Sequence, residues 1–151
     1  MRIALLCGWY YPHSTGGTEA YVRSLARRLK ETGNAVQVVA PSPDEQELRY
    51  SDSGIPVYRY SIKPSPSRSA MRMGELPFSP ASFESWLDEW KPDLLHIHSV
   101  TGTLGIHQVA AGKRRGIPVV MTVHVPGLTC PRGLPSMESI NWPCSGERRE
   151  K

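Results

Sequence analysis

The sequence predicts an α/β fold in which a parallel sheet carries helices on both faces. Short apolar runs typical of buried strands alternate with amphipathic segments typical of helices. Strands separated by helices pair in parallel through right-handed crossovers. The chain has 151 residues, of which 39% are hydrophobic and 21% charged, which is enough for one domain with its own core. We therefore expect residues 1–151 to form a single domain.

The first half of the chain is predicted to contain three strands and one helix. The strands are Ile3–Cys7, Ala35–Ala40 and Val57–Tyr60, which are rich in apolar or β-branched residues. Gly17–Lys30 is a helix, because one of its faces is apolar at the i, i+3, i+4, i+7 spacing: Val22, Leu25, Ala26 and Leu29. The crowding of serine and proline in Ile62–Pro80 predicts a long mobile loop.

The second half is predicted to contain two helices and two strands. The first helix begins with Ser79 as its N-cap and Pro80 at its first helical position. Its apolar face is again at helical spacing: Phe83, Trp86, Leu87 and Trp90. A strand at Asp93–Ile97, a helix at Thr101–Arg115 and a strand at Pro118–Val123 follow. Together these elements describe a Rossmann-like sheet.

Three loops leave the carboxyl ends of predicted strands, where open parallel sheets bind their ligands. They are Gly8–Gly17, His98–Gly102 and His124–Gly133. The first ends in Gly16-Gly17-Thr18, directly before a helix whose N-terminal N–H groups suit an anion. The pattern is neither the dinucleotide fingerprint nor a P-loop, and a flexible turn that starts a helix explains it equally well.

Histidines stand near two of these strand ends. His96 and His98 should share one face of their strand, since side chains alternate, while Ile97 points to the other. We expect His96 to pack within the sheet layer, whereas His98 either packs or binds. His124 should stand at the mouth of the cleft, where it could donate a hydrogen bond or stabilise developing charge. Metal ligation by His98 and His124 stays an alternative, although no carboxylate or cysteine lies at a familiar ligand spacing.

The chain has three cysteines, an odd number, and lacks a secretory signal, which predicts a reducing, cytoplasmic setting. Cys7 is expected to be buried in its strand. Cys130 and Cys144 form neither a C-x-x-C pair nor a four-ligand zinc pattern. A pair of thiols close in space, a disulfide formed on oxidation and two unrelated thiols all remain open.

The formal net charge of +4 is compatible with a phosphate-bearing or anionic partner. Arg23, Arg27 and Lys30 form a basic stripe on the helix face opposite the core, which indicates either a solvated face or contact with an anionic membrane. Basic and methionine residues in the predicted mobile loop favour the membrane: Arg68, Met71, Arg72 and Met73. Nucleic-acid binding is disfavoured, because the aromatic residues occupy core-spaced positions.

In their order and spacing these stretches resemble the family 4 glycosyltransferases. The stretches are Tyr10-Tyr11-Pro12-His13, Gly16-Gly17-Thr18-Glu19 with its helix, Lys91-Pro92-Asp93-Leu94-Leu95-His96-Ile97-His98-Ser99, and Ile117-Pro118-Val119-Val120-Met121-Thr122-Val123-His124. Cys130-Pro131-Arg132-Gly133, with Cys144 after it, is similar to a loop found in part of that family. The resemblance covers nearly the whole chain and implies the N-terminal, acceptor-side half of a GT-B fold.

The resemblance also implies an activity and its residues. The family transfers a sugar, with retention, from a nucleotide-diphosphate sugar and needs no metal or other cofactor. Gly16, Gly17 and Thr18 would approach the donor diphosphate, and His124 would be the catalytic residue beside the transferred sugar. The residues expected on the acceptor side are His13, His98, Ser99 and Arg132.

The family's second domain holds the donor with a glutamate pair that Glu138 and Glu147 do not match in spacing. We therefore expect a fragment, inactive alone, whose partner is its own C-terminal donor-binding domain. The acceptor would be a glycan or a lipid-linked molecule of cell-envelope polysaccharide synthesis, used in the cytoplasm or at the inner face of the membrane. Two alternatives remain: a stand-alone binding module for a phosphate-bearing ligand, and a redox or metal protein built on Cys130 and Cys144.

Overall fold

The computed structural model describes residues 1–42, 46–62, 80–101 and 103–124. These ranges contain nine elements: β1 (Arg2–Cys7), α1 (Gly17–Glu31), β2 (Ala35–Pro41), β3 (Leu48–Asp52), β4 (Ile55–Tyr60), α2 (Ala81–Trp90), β5 (Leu94–His98), α3 (Ile106–Arg114) and β6 (Val119–Thr122). The strands form one sheet in the order β3-β4-β2-β1-β5-β6. All neighbours pair in parallel except β3 and β4. The predicted α/β class is confirmed.

The core is divided by the sheet into two layers, because side chains of a strand alternate between its faces. On one face Leu5 and Cys7 of β1 pack with Val22 and Ala26 of α1. On the other, Leu6 packs in a cluster with aromatic and aliphatic residues of α2 and α3: Phe83, Trp86, Leu87 and Ala111. Helices therefore cover both faces, as the sequence predicted.

The hairpin of β3 and β4 was not predicted. Ser53 and Gly54 both have positive φ, at 52° and 78°, so a two-residue turn of the kind that joins antiparallel strands connects Asp52 to Ile55. The predicted third strand, Val57–Tyr60, is the second part of β4 and pairs in parallel with β2. Leu48–Asp52 escaped detection because this edge strand buries no residue fully and thus lacks an apolar alternation.

Two predicted helix starts are corrected. The helix expected from Thr101 begins only at Ile106, because the N–H of Thr101 bonds back to the carbonyl of Leu104 at 2.8 Å. Pro80 is the N-cap of α2 and not its first helical residue, since its carbonyl accepts the bond from the N–H of Glu84 at 3.1 Å. Ser79, the expected cap, and residues 63–78 of the predicted loop lie outside the described residues.

In the part of the chain that the structure describes, every helix is too short or too polar to cross a bilayer.

Candidate functional site

The carboxyl ends of β1, β5 and β6 meet at one edge of the sheet. Cys7 is the register partner of His98, and His98 is the register partner of Thr122. The loops that follow these strands therefore begin side by side, and His124, two residues beyond β6, reaches His98. Nδ1 of His98 lies 3.1 Å from Nε2 of His124. The structure thus brings His98 and His124, both selected from the sequence, into direct contact.

His96 and His98 share one face of β5, with ring centroids 4.1 Å apart. His98 is fully buried, and its pKa falls to about 3, first because burial disfavours the imidazolium and then because His96 and His124 are close. The pKa of His96 is also lowered, by burial and then by His124. Nε2 of His96 lies 2.8 Å from the hydroxyl of Thr122, so His96 packs within the sheet layer. Near neutral pH both rings are neutral.

Ser99 fixes the backbone of His124. Its φ of 66° lies in the left-handed region, and its own N–H bonds to the carbonyl of Thr122 at 2.9 Å. Its Oγ accepts the N–H of His124 at 3.1 Å. The acceptor-side roles of His98 and Ser99 stay predictions. In this structure both side chains are buried. Nδ1 of His98 bonds to the ring of His124, and Oγ of Ser99 accepts the backbone N–H of His124.

Sequence reasoning missed Tyr21. Its half-exposed ring, on α1, lies 5.0 Å from the ring of His124 and 5.8 Å from that of His98. His124 itself is partly exposed. A signal was present, because a helix that starts after a carboxyl-end loop places its first turns over that edge, and Tyr21 is one turn past Gly17. Tyr21, His98 and Ser99 together restrain His124.

The glycine turn has two different halves. A Cβ atom on Gly16 would lie 2.7 Å from Oε2 of Glu19, whose other oxygen accepts the Ser14 hydroxyl at 2.5 Å. A Cβ on Gly17 would meet no atom within 4 Å. Close packing of a buried carboxylate thus explains Gly16, whereas the space beside Gly17 is open to a ligand. Helix geometry leaves the first N–H groups of α1 without intrahelical partners.

The side chain of Arg59, on β4, bonds to backbone carbonyls of the loop that follows β1. The sequence did not single out this residue. Arg59 is 1% exposed. Its Nη2 donates to the carbonyls of Tyr10 at 2.7 Å and Tyr11 at 3.1 Å, and its Nη1 donates to that of Pro41 at 2.9 Å. The hydroxyl of Tyr50 also donates to the carbonyl of Tyr11. A charged residue inside an apolar strand was the available signal.

Two residues of the basic stripe on α1 bond to the β3–β4 hairpin. Arg23 forms a two-bond pair with Asp52, at 2.8 and 2.7 Å, and its guanidinium lies 3.3 Å from the ring centroid of Tyr11. Nζ of Lys30 donates to the carbonyl of Gly54 at 2.7 Å. Arg27 is exposed. Two of the three cations of the stripe thus bind the β3–β4 hairpin, while Arg27 and Lys30 stay exposed, and the choice between a solvated and a membrane-facing stripe stays a prediction.

Of the remaining predicted site residues, the structure describes His13. His13 is exposed on the first loop. Arg132 lies outside the described residues, as do Cys130 and Cys144 on which the redox or metal alternative depends.

Comparison with known proteins identifies the family and the fold. A family model described as a glycosyl transferase 4-like domain matches residues 16–149. The chain belongs to this glycosyltransferase family. A curated relative, the phosphatidyl-myo-inositol mannosyltransferase of Mycolicibacterium smegmatis, is 30% identical over 129 residues, which are 82% of this chain and 31% of the relative.

Two solved structures share the fold of this glycosyltransferase domain. UDP-GlcNAc 2-epimerase from Neisseria meningitidis, bound to UDP-GlcNAc, superposes with a TM-score of 0.53 and 16% identity, over 80% of this chain and 31% of the epimerase. Sucrose-phosphate synthase from Thermosynechococcus elongatus gives 0.53 and 17%, over 84% and 34%. The chain spans about a third of the length of these relatives. The expected family and GT-B-type fold are confirmed.

Proposed function

We propose that this chain forms the acceptor-side half of a retaining glycosyltransferase, which transfers a sugar from a nucleotide-diphosphate sugar to a glycan or lipid-linked acceptor. The observation that carries the proposal is the placement of His124. It is partly exposed at the carboxyl edge of a family 4 domain and bound to His98 and Ser99. The name of the mannosyltransferase relative supports a hexose as the sugar and a lipid-linked acceptor.

The proposed roles follow from the two open features of the edge. One ring nitrogen of His124 is bound to His98, and the other makes no bond to the described residues, so it is available to a sugar hydroxyl. The N-terminus of α1, open beside Gly17, suits the diphosphate, because unpaired N–H groups and the helix dipole favour an anion. Arg59 holds the loop that leads to this turn.

The proposed transfer takes place on one face of the donor sugar. The bond between the anomeric carbon and the diphosphate oxygen breaks, the acceptor oxygen bonds to that carbon on the same face, and the acceptor proton passes to the departing phosphate. The protein contributes positioning and electrostatic stabilisation. The reaction needs no metal or other cofactor. The second wall of the cleft would come from a C-terminal donor-binding domain, so we expect the 151-residue chain alone to be inactive.

His124→Ala in the full-length protein tests the proposal. We expect kcat for sugar transfer to fall by roughly 10²- to 10³-fold, the usual cost of losing one preorganised donor. Circular dichroism should keep the wild-type shape, and the free energy of unfolding should fall by about 1–3 kcal/mol, because the substitution leaves the buried Nδ1 of His98 without its partner. His107→Ala is the matched control, since this histidine of α3 makes no bond to the described site residues. Near-normal transfer by His124→Ala would remove His124 from the mechanism. A full-length protein that binds sugar nucleotides without transfer would favour the binding module.

A further inference from the structure

His98 has one bonded ring nitrogen and one without a partner. Its side chain is 0% exposed, and Nδ1 lies 3.1 Å from Nε2 of His124. Its Nε2 is buried and has no hydrogen-bond partner among the described residues. Buried polar atoms are nearly always paired, so this exception needs a physical account.

The number of ring protons on His98 and His124 explains why Nε2 of His98 has no partner. Two neutral imidazoles can form one hydrogen bond, in which one ring donates and the other accepts. If His124 donated, the proton of His98 would be on its buried Nε2, as an N–H group with no acceptor. If His98 donates from Nδ1, its Nε2 carries only a lone pair. Orphaned buried N–H groups are rarer than under-satisfied acceptors, so the second arrangement is favoured. Burial also keeps His98 neutral, since it lowers the pKa of the ring.

We propose that His98 is a positioning residue: it donates from Nδ1 to Nε2 of His124 and thereby fixes His124 as the Nδ1–H tautomer. The Nδ1–H of His124 is then a donor with one direction, aimed away from His98. This inference rests on the proposed function of His124, because only a catalytic or binding imidazole needs a fixed tautomer.

The surroundings of His124 complete the restraint. Ser99 binds its backbone N–H at 3.1 Å, and the ring of Tyr21 approaches its ring edge-on at 5.0 Å. These contacts limit the position of the ring but leave its tautomer free, because neither engages a ring nitrogen. Of the described residues, His98 alone bonds to a ring nitrogen of His124. The tautomer is therefore assigned to His98.

The first experiment measures the tautomer directly and does not depend on activity. Long-range ¹H–¹⁵N spectra of the ¹⁵N-histidine-labelled 151-residue chain, recorded at pH 8, report which nitrogen of His124 carries its proton. We expect Nδ1–H in the wild type and a mixture with Nε2–H in His98→Leu. His98→Asn should restore Nδ1–H, because the asparagine amide can place a donor near the position of Nδ1. A wild-type His124 protonated at Nε2 would overturn the proposal.

The second experiment links the tautomer to the reaction in the full-length protein. His98→Leu should lower kcat roughly 10- to 100-fold, by analogy with the groups that orient metal-bound histidines, with KM changed less than about 2-fold. His98→Asn should recover most of kcat. Equal losses in both variants, with the tautomer of His124 unchanged, would reduce His98 to a packing residue. If His98→Leu does not fold, His98→Asn alone decides. A wild-type tautomer of His124 together with a wild-type kcat would support the proposal, whereas a shifted tautomer with an unchanged kcat would refute it. Absence of transfer in every form would refute the proposed function but leave the spectra valid.

Discussion

Replacing Arg59 by methionine tests whether a buried guanidinium holds the loop that leads to the glycine turn. The change keeps an apolar stem of similar length and removes three bonds to backbone carbonyls and one to the Tyr50 hydroxyl. A hydrogen bond to a charged group contributes about 1.5–3 kcal/mol, so the three carbonyl bonds amount to about 5–9 kcal/mol. The bonds that the structure shows go to neutral oxygens, so the desolvation cost of the charge, several kcal/mol, offsets part of this.

The expected net loss for Arg59→Met is about 2–4 kcal/mol in the free energy of unfolding. Urea denaturation followed by circular dichroism measures it, and hydrogen exchange should show faster exchange in residues 8–16 than elsewhere in the sheet. Arg49→Met is the matched control on the adjacent strand. Arg49 is 52% exposed and pairs with the equally exposed Glu89, so we expect a loss below about 1 kcal/mol.

Arg59→Lys separates charge from geometry. Lysine keeps the charge but lacks the planar fork with which arginine reaches three carbonyls. The Arg59→Lys variant should therefore lose most of the unfolding free energy that Arg59→Met loses. If Arg59→Met costs no more than Arg49→Met, or if lysine restores full stability, the loop is not held by the guanidinium fork and the reasoning fails.

Three further predictions concern the same edge. Gly17→Val should leave the thermal midpoint nearly unchanged, since its Cβ meets no atom within 4 Å. The variant should weaken binding of a sugar nucleotide to the full-length protein, as measured by calorimetry, and an unchanged affinity would show that this turn does not contact the donor. Gly8→Ala should cost about 1–3 kcal/mol in urea denaturation, because its Cβ would lie 2.4 Å from Cγ2 of Thr101, whereas Gly17→Ala should not destabilise. Because the pKa of His98 is lowered from 6.5 to about 3, the unfolded chain binds a proton between these values that the folded chain does not. Stability should therefore fall as the pH drops through this window, by up to about 1.4 kcal/mol per pH unit, and His98→Asn should show a shallower slope from pH 7 to pH 5.

Much of the fold was predictable because apolar periodicity records burial directly. β1 is apolar from Ile3 to Cys7 and α1 has one apolar face, so the sequence predicts both elements, but only the structure shows that Leu5, and not Leu6, packs with Val22. The β3–β4 hairpin was missed because β3, its outer strand, has no alternation of buried apolar and exposed polar residues. Its signal was the turn: Ser53-Gly54 between strand-like segments is a two-residue connection, and glycine there permits the observed φ of 78°.

The candidate site was predictable in its location but not in its contacts. Parallel strands end at one edge, so the meeting of the loops after β1, β5 and β6 follows from topology. Period-two alternation predicts which face of the sheet His98 lies on, but not how far its side chain is buried. Its full burial comes with the contacts that Tyr21 and His124 make to its ring. Arg59 was missed for the same reason, since a charged residue in a strand is normally exposed and only the tertiary structure supplies its three carbonyl acceptors.

The two open features of the edge are joined by one rigid element. Gly17 opens α1, and Tyr21, in contact with the ring of His124, lies four residues later on the same helix, which is about 6 Å along its axis. Tyr21 therefore connects the helix whose N-terminus is open beside Gly17 to the ring of His124. Two cations of the basic stripe, Arg23 and Lys30, already bond to Asp52 and to the carbonyl of Gly54. The open N-terminus of α1 and the contact of Tyr21 with His124, more than the net charge of +4, support the proposed donor placement.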